Sequence, residues 1–424
     1  MIFDINPIVF NVVFGAMILA VTSSVVGSFA FLQKKTLVGD AISHAILPGV
    51  CLAYVFTETK NPAILLAGAF ASGWLGSVTI NFISSRSRIK NDTAISIVLS
   101  LFFGIGMSLM SYIQNNPKYI DKSGLGHYLF GSITSITSQD LILFSIVASI
   151  TLAIIYLMYK ELKIVSFDPD FSQSIGFNVK IINQLITILT VISIVLGIKA
   201  VGVVLMAGMI ITPAAVARFW TNRLSKLLRI AVTVAIFSCL IGSYISYITP
   251  TPTGPWIVII MSFIAIVSFF FAPKKGIVSR KIKQVRFKRK ILDENILKAI
   301  YHNLEVKKDF NKDLNFEDIM ITRSFLKPQL ILGLKRLVKQ GFLELNQGMY
   351  TFTDIGLTKG KRTTKLHRLW ELYLTNYMNI AADHVHEDAE TIEHILTPEL
   401  ETKLEALLEY PKIDPHNSVI PYND

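Results

Sequence analysis

Up to Ala272 the chain alternates long apolar runs with short polar breaks, and from Lys274 onward apolar positions recur at the spacing of water-soluble helices and strands. A helix crosses a bilayer core with about 20 apolar residues. Runs near that length predict spans at 9–31, 41–56, 62–84, 93–113, 139–159, 183–199, 201–217, 229–249 and 255–272. The block 183–217 is apolar apart from Lys199; it reads as two passes meeting near Lys199–Gly202, or as one long helix with a re-entrant segment around Pro213. The expected fold is an all-α polytopic membrane protein of eight or nine transmembrane helices, followed by a water-soluble part. In the third span Gly68, Gly73 and Gly76 permit close helix approach.

The second part follows other periods. ENILKAIYHNLE places Ile296, Leu297, Ile300 and Leu304 near helical spacing. KPQLILGLKRLVKQGFLEL is a further helix, opened by Pro328, striped by Leu330, Leu334 and Leu337, and ended by Gly341. GFLELNQGMYTFTDIG then alternates about an NQG turn, as a β-hairpin does. Helices closed by such a wing predict a winged helix-turn-helix. Lys327, Lys335, Arg336 and Lys339 could touch phosphates there, although winged helices also serve protein contacts, so DNA stays open as a partner. The expected boundaries are a membrane domain at 1–273, a basic juxtamembrane linker at 274–290, a winged-helix domain at 291–363 and a helical domain at 364–424.

Composition sharpens this division. Hydrophobic residues make up 52% and charged residues 17%, where soluble domains carry about 25% charged. The formal charge of +11 lies largely in short loops and in KKGIVSRKIKQVRFKRK, Lys274 to Lys290, so it is not by itself a sign of nucleic acid. A basic run directly after a last span marks the cytoplasmic face and meets anionic lipid. Alternating the loops puts Lys34, Lys35, Arg86, Arg88, Lys90, Lys160, Lys163, Lys180, Arg218, Arg223, Lys226 and Arg229 on one side, against Lys60, Lys118, Lys122 and Lys199 on the other. The richer side is the cytoplasm, which places the N-terminus outside and the C-terminal domain inside. Cys51 and Cys239 both fall in apolar runs and offer neither a disulfide framework nor a cysteine zinc motif. The N-terminus lacks a positive n-region and a small-residue cleavage site, so the first apolar run is expected to be retained.

Candidate chemistry begins at LVGDAISHAILPGVCLAY, Leu37 to Tyr54, where Asp40 and His44 stand one helical turn apart at the mouth of an apolar run. An intramembrane carboxylate is by default a functional candidate. The plainer reading makes Asp40 a cap for the second helix, which leaves His44 unexplained. Carboxylate with imidazole suits a divalent first-row transition metal better than magnesium or calcium, which prefer oxygen alone. Pro48 and Gly49 are expected to interrupt the helix and free backbone carbonyls along a path.

GDAISHAILPGV resembles the signature of the ABC-3 type permeases of bacterial zinc, manganese and iron importers. KAVGVVLMAGMIITPAAVARFW, Lys199 to Trp220, is similar to a late block of the same family, and SFDPDFSQSIGF, Ser166 to Phe177, to its ATPase-coupling segment. The resemblance implies that Asp40, His44 and Pro48 line the ion path. It also implies that Asp168, Pro169 and Gly176 mark the stretch that docks on a nucleotide-binding subunit. The plainer account of that stretch is a surface helix with a glycine C-cap.

In the last segment His367/Glu371 and Glu390/His394 are i, i+4 pairs, and His384, His386 and Glu393 lie among them. Such a cluster is most often a solvated charged surface. The segment, with its ending IDPHNSVIP, resembles the metal-binding and dimerisation region of iron/manganese-dependent repressors of the diphtheria-toxin-repressor type. By that resemblance His367, Glu371 and His386 form one metal site, and Glu390, Glu393 and His394 half of a second. The family draws further ligands from its first helix, at positions that align with Asn295 and Lys298 here; a charged lysine cannot ligate.

The reading is a permease subunit that imports a divalent transition metal (manganese, zinc or iron), carrying a fused metal-sensing domain that regulates uptake. The resemblance implies a bacterial cytoplasmic membrane, a separate ATP-binding subunit, an extracytoplasmic metal-binding protein and a second permease copy. No G-x-x-x-x-G-K-[ST] occurs, so no ATP is expected on this chain and it is not an enzyme. The alternatives are a metal-dependent DNA-binding role for the C-terminal domain, a proton-driven secondary metal transporter, and a siderophore or cobalamin permease.

Overall fold

The computed structural model of the chain describes residues 7–59, 61–119, 136–249, 251–310, 312–378 and 397–422. It divides into two compact units, Met1–Arg280 and Lys281–Asp424.

The first unit is helical. Its elements are α1 (Pro7–Leu32), α2 (Thr36–Thr57), α3 (Pro62–Arg86), α4 (Asn91–Asn115), α5 (Ser138–Leu157), α6 (Tyr159–Phe167), α7 (Pro169–Ser174), α8 (Val179–Val201), α9 (Val203–Trp220), α10 (Leu224–Ile248) and α11 (Thr253–Phe271). Eight of these are long and apolar enough to cross a membrane, and Met206–Trp220 in α9 is a shorter apolar helix. The long block 183–217 breaks at Gly202, whose φ of +85° ends α8 and starts α9. A side chain rarely adopts that conformation, so glycine there turns one apolar run into two helices.

Burial separates inner helices from outer ones. The apolar windows of α1, α2 and α8 are 67%, 67% and 61% buried, whereas those of α3, α4, α5, α10 and α11 are 22–33% buried. The outer helices present apolar side chains such as Leu75, Phe82, Ile105, Ile146 and Phe263 outward, as a lipid-facing surface requires. The hydroxyls of Thr22, Ser23, Ser24 and Ser28 on α1, and of Thr190 and Ser193 on α8, are turned inward.

The second unit contains most of α12 (Ile277–Lys307), then α13 (Phe316–Thr322), α14 (Lys327–Lys339), β1 (Leu343–Asn346), β2 (Met349–Phe352), α15 (Asp354–Met378) and α16 (Pro398–Leu407). Leu330, Leu334 and Leu337 form the buried stripe of α14 and meet Ile296, Leu297, Ile300 and Leu304 of α12. The two strands pair antiparallel from Leu343↔Phe352 to Asn346↔Met349. Gln347 and Gly348, both at positive φ, make the two-residue turn. The basic stretch from Lys281 to Lys290 is helical and exposed throughout, and burial begins with the half-buried Ile291.

Arg368 fastens the end of this unit. Buried on α15, it forks onto both Glu305 oxygens, bonds the Val419 carbonyl, and lies 3.4 Å from Asp414 Oδ2. The DPHNS turn shapes the last contact, because Asp414 Oδ1 accepts from the His416 and Ser418 amides at 2.8 Å each. Burial pushes the Glu305 carboxyl up, but hydrogen bonds from Arg368 and His302 outweigh it and hold it at about 2. A carboxyl held down in the folded state stabilises fully above its ordinary range and loses that contribution as pH falls through about 2. Removing one partner of a buried pair costs roughly 3 kcal/mol, because the other charge stays buried. Arg368→Ala is therefore expected to speed hydrogen exchange across 366–374 by about a hundredfold at neutral pH. An unchanged exchange rate would show that the network carries no net stability.

Candidate functional site

Asp40 and His44 lie on the inner helix α2, with carboxylate Oδ1 3.8 Å from imidazole Nε2 and side chains 41% and 18% exposed. The helix starts at Thr36, after Lys35, which makes no side-chain cap bond. Asp40 therefore sits in the second turn and does not cap the helix. Metal bonds to carboxylate oxygen and imidazole nitrogen are about 2.1 Å long. Two donors up to about 4.2 Å apart can share one ion by that measure, and this pair lies within it.

The surroundings of His44 limit what else it can do. Its ring meets the Phe103 ring of α4 edge-on, with centroids 5.0 Å apart. Nδ1 is buried and has no hydrogen-bond partner. A buried polar atom left unpaired costs about 1–3 kcal/mol, a burden that packing alone does not explain. Ligand histidines that hold an ion tightly usually donate their second nitrogen to a fixed acceptor. Without that support the pair suits brief contact with an ion rather than storage.

Pro48 departs from expectation. It does not interrupt α2, which runs unbroken from Thr36 to Thr57 with Pro48 inside it. Packing on both sides holds the helix together: Ser72 Oγ of α3 donates to the Ala45 carbonyl at 2.6 Å, and Leu47 lies against Gly106 of α4. Proline has no N–H, so the backbone carbonyl of His44, four residues back, is still released from the helical ladder. Toward the far end of α2, the Cys51 thiol lies 3.8 Å from the Gly106 carbonyl, Tyr54 packs on Tyr119, and Glu58 pairs with Lys118 at 2.7 Å. On this half of the helix Cys51 and Tyr54 are buried by these contacts, while Leu52 and Phe56 stand exposed.

The coupling candidates form a compact device. Asp168 caps α7, its Oδ1 accepting from the Phe171 amide at 3.0 Å, and Pro169 occupies the first turn. Gly176, at φ +92°, closes the turn. Phe167, Phe171 and Ile175 stand exposed around it, while Leu162 and Val165 of α6 anchor it to the buried core.

In the second unit His367 Nε2 lies 3.0 Å from Glu371 Oε1, and both side chains are buried. Lys298 of α12 reaches the other ring nitrogen, Nζ standing 3.2 Å from His367 Nδ1. His384, His386, Glu390, Glu393 and His394 lie outside the described residues. Among the described residues no three His, Cys, Asp or Glu groups gather closely enough to hold a metal. With an ammonium against the imidazole, His367 and Glu371 do not fit an ion as they stand. Of the four phosphate candidates, Lys327, Lys335 and Lys339 are exposed, but Arg336 bonds Asp293 at 2.6 and 3.2 Å.

Sequence reasoning missed two contacts: Phe103 against His44, from helices distant along the chain, and Lys298 against His367. Only the unsuitability of lysine as a ligand pointed to the second.

Comparison with known proteins agrees with both halves. Residues 6–272 match the ABC 3 transport family, and residues 353–422 match the iron dependent repressor, metal binding and dimerisation domain. The chain is 36% identical over 370 residues to the manganese transport system membrane protein MntC of Bacillus subtilis (strain 168), covering 87% of this chain and 84% of that one. It is 38% identical over 268 residues to the zinc transport system membrane protein TroC of Treponema pallidum (strain Nichols), covering 63% of this chain and 90% of that one. Among solved structures, PsaBC from Streptococcus pneumoniae in complex with Fab superposes with a TM-score of 0.59 at 30% identity, covering 66% of this chain and 96% of that one.

Proposed function

The chain belongs to the ABC 3 transport family, and from that premise we propose that it imports a divalent transition metal, manganese, zinc or iron, into the cytoplasm. The observation that carries this reading is the Asp40–His44 pair, 3.8 Å apart on an enclosed membrane helix, with a buried imidazole nitrogen left without a partner. Oxygen and nitrogen donors together select a transition metal over magnesium or calcium. Too few protein ligands stand here for tight storage, and release is what transport needs.

The energy comes from a separate subunit. The apolar side chains of Phe167, Phe171 and Ile175, presented by the capped turn at Asp168, Pro169 and Gly176, are the surface on which an ATPase docks. An extracytoplasmic binding protein delivers the ion, and two permease copies pair. Reconstitution with the ATPase subunit should give uptake of labelled manganese or zinc that requires ATP. Uptake driven by a proton gradient alone would identify a secondary transporter instead.

The fused domain regulates that uptake. The pairing of Arg336 with Asp293 removes one of four candidate phosphate contacts and favours a gate over a DNA reader. Its ion ligands come from Glu390, Glu393 and His394. Replacing all three by alanine is expected to abolish the slowing of uptake by manganese preloaded on the cytoplasmic side. Equal slowing in wild type and variant would exclude this gate.

A further inference from the structure

The buried cluster Lys298–His367–Glu371 is built as a chain of alternating roles. A lysine ammonium only donates, so the His367 Nδ1 at 3.2 Å accepts. That tautomer puts the ring hydrogen on Nε2, facing Glu371 Oε1 at 3.0 Å. All three residues are nearly closed to solvent, at 8%, 5% and 2% exposure. Both imidazole nitrogens are thereby engaged, and His367 has no lone pair left to offer an ion.

The neighbouring cation on α15 is engaged with other groups. Arg368 is committed to Glu305, Asp414 and the Val419 carbonyl. One turn before Lys298 on α12, Asn295 is buried with an amide oxygen that has no hydrogen-bond partner. Neither side chain at these two positions of the first helix is an anion.

We propose that Lys298 is a tethered cation: its ammonium takes the place of a metal ion between α12 and α15, and holds His367 and Glu371 in their packed arrangement without metal. Carboxylate, imidazole and cation are then all supplied by the chain, and the link between the two helices is permanent. The regulatory reading above draws its ion ligands from other residues, so this inference stands or falls separately from transport. Access is not the obstacle to an ion, since Lys298, His367 and Glu371 border a cavity of about 370 Å³.

The test uses the full chain in lipid nanodiscs, with Asp40→Ala and His44→Ala present throughout so that the transport pair contributes no ions. Bound manganese per chain is counted after dialysis, and thermal unfolding is followed with and without chelator. The expected results are that His367→Ala leaves the manganese count unchanged and that chelator does not alter unfolding of the cytoplasmic half through this site. Lys298→Glu should gain about one manganese per chain, lose it again when combined with His367→Ala, and unfold at a chelator-sensitive temperature. If His367→Ala alone removes an ion, the residue ligates beside Lys298 and the proposal is overturned. A folded Lys298→Glu chain that gains nothing overturns it equally. Should Lys298→Glu fail to fold, the comparison of the parent chain with His367→Ala still decides.

Discussion

Replacing Asp40 or His44 by alanine is expected to bring ATP-driven uptake of manganese or zinc down to that of vesicles lacking the permease, with the protein still inserted and bound to its ATPase. The effect is near total because the two side chains converge, with donors 3.8 Å apart. Neither a lone carboxylate nor a lone imidazole supplies enough donors to an ion that must shed water inside a membrane. Each loss removes a charge or dipole that the low-dielectric surroundings would otherwise aim at the ion. Asp40→Asn separates the contributions, since it keeps the oxygen and loses the charge; it should retain more transport than Asp40→Ala. ATPase activity of the assembled complex is the control for folding. Normal uptake by both alanine variants would make Asp40 and His44 packing residues and move the path to other helices.

Gly49→Ala is expected to have the second largest effect, through folding rather than chemistry. A Cβ at Gly49 would stand 2.1 Å from the Gly68 carbonyl oxygen and 2.5 Å from Ser72 Cβ. The opposing atom at 2.1 Å is backbone, so relief requires α2 and α3 to part. The contact is reciprocal, because a Cβ on Gly68 would meet Gly49 O at 2.6 Å. Overpacking of this kind costs about 3 kcal/mol, a large share of the stability of most proteins. The variant should be poorly recovered from membranes and should lose uptake together with its ATPase partner. Gly104→Ala, where a Cβ meets nothing within 4 Å, is the matched control and should behave as wild type. Full recovery of Gly49→Ala would mean that the α2–α3 contact yields without cost.

Both predictions depend on α2, and only part of its role was legible beforehand. GDAISHAILPGV announced the pair and its spacing, because residues four apart on a helix share a face whatever surrounds them. The same local regularity disclosed the leucine stripe of α14, the hairpin turn, and a short surface helix ended by Gly176, while the cap that Asp168 supplies to it came from the structure. It misjudged the effect of Pro48, since a proline breaks a helix only where neighbours do not hold the backbone in place. It also left Asp40 open as a cap, which depends on where the helix begins; the structure starts it at Thr36.

Apolar run lengths and loop charge determined, by themselves, a polytopic membrane protein with a cytoplasmic C-terminal part, and the spacing of Asp40, His44, His367 and Glu371 marked residue types that could meet a metal. The permease and repressor-like readings came from the resemblance of particular segments to known families. Tertiary structure decided the rest. It enclosed α1, α2 and α8 and left the other long spans facing outward, set Phe103 against His44, and brought Lys298 to His367 across 69 residues of chain. Helical periodicity reports only which side of an element is apolar. Which neighbour covers that side is set by how closely backbones can approach, at places such as Gly49 against Gly68, and by where buried charges find partners.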